Sequence, residues 1–83
     1  MNLDEQEFLR EVGLRIRKRR EAQNLTQAQL GENCDLDRTF IGSVERGERN
    51  VAVLNLRKIA QALRVPLQDL LADQRIVGGS ADG

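Results

Sequence analysis

The sequence predicts an all-α fold, a compact bundle of about five helices. Three observations carry this: the frequent residue types, the spacing of apolar residues, and helix-start and helix-stop residues placed between the apolar runs. Leu, Arg, Ala, Glu and Gln dominate, residues that lose little rotamer freedom in a helix, whereas Phe8 and Phe40 are the sole aromatics. With 83 residues, of which 40% are hydrophobic, the chain can build one core and no more.

Each helix has its own signals. From Asp4 to Gln23 there is no proline, and Phe8, Leu9, Val12 and Ile16 recur at the one-, three- and four-residue steps of an amphipathic helix. Its acids come early and its bases late, as the helix dipole favours, and Asn24 tolerates the left-handed geometry of a helix stop. Thr26-Gln27-Ala28-Gln29 reads as a capping box and starts a second helix that runs to about Cys34. Asp35 and Asp37 are turn and cap residues, so Asp37 opens a third helix from Arg38 to Arg46, ended by Gly47. After the polar loop Glu48-Arg49-Asn50, the residues Val53, Leu56, Ile59, Ala60 and Leu63 predict a fourth helix over Val53 to Arg64. Pro66 stops it and suits the first turn of a short fifth helix bearing Leu67, Leu70 and Leu71. The domain is thus expected over 4–73, followed by a flexible tail over 74–83 that carries too little apolar surface to offset the entropy of ordering.

Composition narrows the function classes. A single cysteine, Cys34, and no histidine argue against a disulfide framework or a zinc site, and no metal or cofactor is expected. An enzyme fits poorly, since no histidine, activated cysteine, phosphate-cradling glycine loop or spaced carboxylate pair is visible. No stretch approaches the roughly 18 apolar residues of a membrane span, and the start lacks the order of a secretion signal, so no membrane partner is expected and the cytoplasm is the expected location. Thirteen basic residues balance thirteen acidic ones, but unevenly. Acids gather at the start, whereas Arg15, Arg17, Lys18, Arg19 and Arg20 form one basic run and Arg38, Arg46 and Arg49 another. A neutral chain can therefore still present a positive face to nucleic acid, although such runs are also met as plain solvated surface.

The two short helices joined by a tight turn have the geometry by which one helix crosses a DNA backbone and the next enters the major groove. Ile41 and Val44 on the third helix, with Leu36 and Leu30, are expected to form its core contact. Arg38, Thr39, Gly42, Ser43 and Arg46 are then expected to point outward as a base-reading face of donors and small groups. Gln27 and Asn50 flank that helix, where neutral amides can bond phosphate oxygens, the plainer alternative being an exposed first-turn residue and a turn former. Arg20, four residues beyond Ile16, points inward, and pairing with Glu45 would lock the third helix to the first; an exposed, unpaired Glu45 is the alternative.

Leu25-Thr26-Gln27-x-x-Leu30, then Leu36 to Asn50 without a break, then Leu56-x-x-Ile59-Ala60-x-Ala62-Leu63, resembles the lambda-repressor/Cro-like, or XRE-type, helix-turn-helix family, over about residues 10–72. Within it, the Leu-Asp-Arg-Thr-aromatic-Ile stretch and the Glu-Arg-Gly-x-Arg-Asn loop are most similar to the controller proteins of restriction-modification systems. The resemblance implies a sequence-specific DNA-binding transcriptional regulator whose partner is double-stranded DNA. It implies that Arg38, Thr39 and Arg49 read bases, that Gln27, Phe40 and Asn50 contact the DNA backbone, and that Arg20 and Glu45 form the family's internal salt bridge. Phe40 stands where these controllers frequently have a tyrosine, Gly31 replaces a usual alanine, Asp35 a common turn glycine, and Ala52 a serine or threonine cap.

Leu54, Val65, Leu67, Leu70 and Leu71 exceed what one short terminal helix needs for its own core. Some of them are therefore expected to form a two-fold homodimer contact, the alternative being that all close the monomer core. Such a dimer would set its reading helices about 34 Å apart on a palindromic operator, and RNA polymerase would be a further partner of an activator. A protein-binding adaptor or antitoxin-type module on the same fold is the competing function.

Overall fold

The computed structural model describes residues 2–71; the tail expected over 74–83 and the last two residues of the expected domain lie outside them. Five helices follow in order: α1 Leu3–Ala22, α2 Gln27–Cys34, α3 Arg38–Glu45, α4 Val53–Leu63 and α5 Gln68–Leu71. No strand occurs among the described residues. Helix α3 packs against both α1 and α2, α4 closes the far side of α2, and α5 returns to α1.

Local chemistry sets the helix boundaries. Thr26 accepts from the Gln29 backbone amide at 3.0 Å while the Gln29 side chain accepts from the Thr26 amide at 2.9 Å, the reciprocal capping box expected from the sequence. Asn2 and Glu5 form a second such box at the start of α1, so this helix begins a residue earlier than its apolar pattern indicates. Asp37 caps α3 through the Thr39 amide, whereas Ala52 gives α4 no side-chain cap.

Helices α1 to α4 all stop in the same way. One or two residues past the end the chain turns left-handed, and two backbone amides reach back to the last carbonyls, as when Gly47 and Glu48 donate to Val44 and Ser43 at 3.0 and 2.9 Å. Only at Gly47, with φ of 76°, does a glycine fill this position; Asn24, Asp35 and Arg64 adopt φ of 58°, 62° and 61° with a Cβ in place. Arg64 is therefore the stop of α4 and not its last turn.

Eleven buried residues form the core: Val12 and Ile16 of α1, Leu30 and Cys34 of α2, Ile41 and Val44 of α3, Leu56, Ile59, Ala60 and Leu63 of α4, and Leu70 of α5. Three expectations from the apolar pattern need correcting. Phe8 is 44% exposed and Val53 72% exposed, because each lies on the first turns of its helix, beyond the reach of the neighbouring helices. Leu70, expected with the dimer leucines, is completely buried, since α5 folds back onto α1 and uses this side chain to close the monomer core. Leu54 remains 60% exposed, while Val65, Leu67 and Leu71 are half-buried against the core. The basic run of α1 is likewise dispersed by the helical turn. Arg20 goes inside, Arg17 pairs with Glu21 at 3.1 Å, and Arg19 ties α1 to α5 through Asp69 at 3.3 Å.

Candidate nucleic-acid interface

The position of α3 is set from below by a buried ion pair. Arg20 donates through Nε and Nη2 to the two carboxylate oxygens of Glu45, at 2.6 and 2.9 Å, and through Nη1 to the Leu25 carbonyl at 2.8 Å. Only 10% of the Arg20 side chain and 3% of that of Glu45 reach solvent. The fork-to-fork geometry fixes orientation as well as distance, so α3 cannot roll about its axis without breaking both bonds. The hydrogen bond to Glu45 raises the Arg20 pKa above its already high ordinary value, and this charge persists at every pH at which the fold survives. Beside the pair, α1 and α3 approach so closely at Gly13 that a Cβ there would overlap the Val44 and Glu45 carbonyl oxygens. The expected lock between Arg20 and Glu45 is thus present, and the exposed, unpaired Glu45 is not.

Gln27 joins this lock: its side-chain amide donates to Glu45 Oε1 at 3.0 Å. It is half-buried, and its own oxygen lies 3.2 Å from where a Cβ on Gly42 would stand. Through Gln27 the first turn of α2 and the body of α3 share one hydrogen-bond network, which holds the two helices of the motif at a fixed angle.

The solvent face of α3 is narrower than the sequence implies. Arg38, Thr39 and Arg46 are exposed as expected. Gly42 is buried, because the Arg46 and Gln27 side chains lie across it. Ser43 is only 8% exposed, and its hydroxyl donates to the Phe40 carbonyl at 2.8 Å. Neither faces outward, since Ser43 sits at the edge of the helix where the following loop folds over it.

That loop brings the remaining cations to the face. Arg46 pairs with Glu48 at 3.0 Å, which raises the Arg46 pKa and lowers that of Glu48. Arg49 donates from Nε to Ser43 Oγ at 3.1 Å, and its guanidinium carbon stands 5.3 Å from the centre of the Phe40 ring. Phe40 is half-buried against the core, a fixed platform for a charge that is itself exposed. Asn50 is exposed and, with Asp4, Glu5, Phe8 and Leu9, lines a shallow cleft between the loop and the start of α1. The Glu48 partner of Arg46 and the Ser43 contact of Arg49 were not foreseen. Both lie beyond the helix end, where spacing rules give no signal.

Two short helices held at a fixed angle, the second with Arg and Thr at its exposed N-terminal end and a basic loop at its C-terminal end, define a helix-turn-helix DNA-reading unit. The chain belongs to the helix-turn-helix family, XRE type, whose family model matches residues 16–70. It is 50% identical over 48 residues to the control protein C.BamHI of Bacillus amyloliquefaciens, covering 58% of this chain and 59% of that protein, which is less than two thirds of its length. It is 40% identical over 62 residues to the control protein C.MunI of a Mycoplasma species, covering 74% and 84% of the two chains. Among solved structures it is similar to the restriction-modification controller protein C.AhdI of Aeromonas hydrophila, with a TM-score of 0.77 and 40% identity over 81% of this chain and 97% of that one. The fold, the interface and these relatives together make it a DNA-binding transcriptional regulator, similar to restriction-modification controllers. No helix among the described residues is long and apolar enough to cross a membrane.

Proposed function

We propose that this regulator binds a palindromic operator as a homodimer and controls its own operon alongside restriction-modification genes, acting on nucleoid DNA in the bacterial cytoplasm. The observation that carries the reading is the rigid presentation of α3, its exposed Arg38 and Thr39 backed by the buried ion pair between Arg20 and Glu45. Arg38 and Thr39 read base edges from the first turn, and Arg49 reads from the loop. Gln27 and Asn50 set the register against phosphates, Phe40 meets the DNA backbone by packing alone with no hydrogen bond to give, and Arg46 reaches DNA by exchanging the Glu48 carboxylate for it. The names of the relatives, control proteins and a restriction-modification controller, support the regulatory role.

The dimer contact is assigned to the exposed Leu54 with Val65, Leu67 and Leu71, half-buried in the isolated chain and available for further burial. Leu54→Glu is expected to shift the chain to monomer in analytical ultracentrifugation and to weaken operator binding, while its helical circular dichroism stays intact.

The test of the whole reading is selection of bound duplexes from a random DNA library at near-physiological salt, with affinity measured at two salt concentrations. Enrichment of one palindrome with half-sites about one helical turn apart is expected. Binding that is salt-sensitive but indifferent to sequence would refute it and favour a protein-binding module. Transcription from the selected operator with and without the protein then decides between repression and activation, and with it whether RNA polymerase is a partner.

A further inference from the structure

Ser43 and Phe40 together act on one neighbour. The Ser43 hydroxyl is oriented by donating to the Phe40 carbonyl at 2.8 Å, which turns its lone pairs towards Arg49 Nε at 3.1 Å. The guanidinium that Nε belongs to lies over the Phe40 ring, its carbon 5.3 Å from the centroid. Three residues thus form a clamp in which an exposed loop arginine is held from one side by a hydroxyl and from another by an aromatic ring. Both supports are steady, Ser43 being buried in α3 and Phe40 packed against the core.

We infer that Ser43 and Phe40 are positioning residues that preset Arg49 for end-on recognition of guanine. An arginine can pair with guanine O6 and N7 either end-on, through its two Nη groups, or side-on, through Nε and one Nη. Ser43 occupies Nε, which leaves the end-on pairing. Arg49 Nη1 and Nη2 form no hydrogen bond among the described residues and are the donors that meet the base. Holding the side chain in this pose before binding removes part of the rotamer entropy otherwise lost at the interface. The assignment rests on base reading by Arg49 and gives Ser43 a role quite different from a direct base contact.

The experiment pairs Ser43→Ala with Arg49→Ala and with the double variant. Base preferences are measured by duplex selection, and the Arg49 Nε–H resonance of the free protein is followed by NMR. Ser43→Ala is expected to lower the guanine preference at the Arg49 position roughly three- to tenfold, and to move the Nε–H resonance towards that of a free arginine. Affinity for a scrambled duplex and the melting temperature should remain unchanged. In the Arg49→Ala background, where the preference has already fallen roughly ten- to hundredfold, Ser43→Ala should add nothing. Strong dependence on Arg49 combined with indifference to Ser43→Ala would overturn the clamp while leaving base reading intact. A Ser43→Ala effect that persists without Arg49 would return Ser43 to direct contact and overturn it likewise. An Arg49→Ala protein with unchanged preference would overturn base reading by Arg49, and the assignment with it.

Discussion

Removing one half of the buried ion pair between Arg20 and Glu45 is the perturbation with the largest consequence. Arg20→Met leaves the Glu45 carboxylate, whose side chain is 3% exposed, with Gln27 as its remaining donor, and it strips the Leu25 carbonyl of its Arg20 contact. Uncompensated buried charges of this kind cost about 3–5 kcal/mol. At roughly 0.05–0.15 kcal/mol per residue, a chain of 83 residues has about 4–12 kcal/mol in all, so this one substitution takes a large part of its stability. Glu45→Leu strands the guanidinium instead and should cost a similar amount. The double variant replaces both charges with apolar groups and should recover much of the loss, giving a coupling energy larger than either single loss, above about 3 kcal/mol, in urea unfolding at neutral pH. The double variant should nevertheless bind DNA with less discrimination than the natural chain, because apolar contact does not stop α3 from rolling. Single losses below about 1 kcal/mol, or singles that add in the double variant, would refute the view that the pair is buried and coupled.

Three further outcomes are expected. Gly13→Ala should destabilise the fold by about 2 kcal/mol, overpacking of about 3 against the Val44 and Glu45 carbonyls less about 1 regained from helix propensity, and an unchanged urea midpoint would contradict the close crossing of α1 and α3. Arg64→Gly should stabilise by about 0.5–1 kcal/mol and raise the melting temperature by about 2–8 °C, because it relieves a left-handed residue without removing a core contact; a lower melting temperature would show that the Arg64 side chain has a role of its own. Burial pushes the Cys34 thiol pKa up, so its contribution to stability is complete below the thiol's ordinary pKa and is lost as pH rises through the folded value. A stability–pH profile should therefore decline on the alkaline side, less steeply in Cys34→Ala, and an identical decline in both would assign it to other groups.

Features that depend on neighbours along the chain were legible in the sequence. The Thr26–Gln29 capping box, the Asp37 cap and the stops at Asn24 and Gly47 act over three or four residues, and the structure has each of them, whereas α4 ends at the left-handed Arg64 ahead of Pro66, which lies two residues before α5 and not in its first turn. The inward Arg20 was legible too, because it continues the helical step from Ile16, and a buried cation requires a carboxylate. The outward placement of Arg38, Thr39 and Arg46 follows from the same period.

What only tertiary structure decided lies at helix edges and ends, where the period assigns no face. Ser43 lies at the border of the exposed stripe, and the return of the loop carrying Arg49 buries it. Leu70 differs little in sequence context from Leu71, yet the angle at which α5 meets α1 makes one fully buried and the other half-buried. Phe8 continues the apolar pattern of α1 but extends past the helices that would cover it. Caps and periods are set by hydrogen bonds and rotamers within a few residues of the chain. Burial at an edge depends on which distant element arrives there, and that is settled when the helices pack.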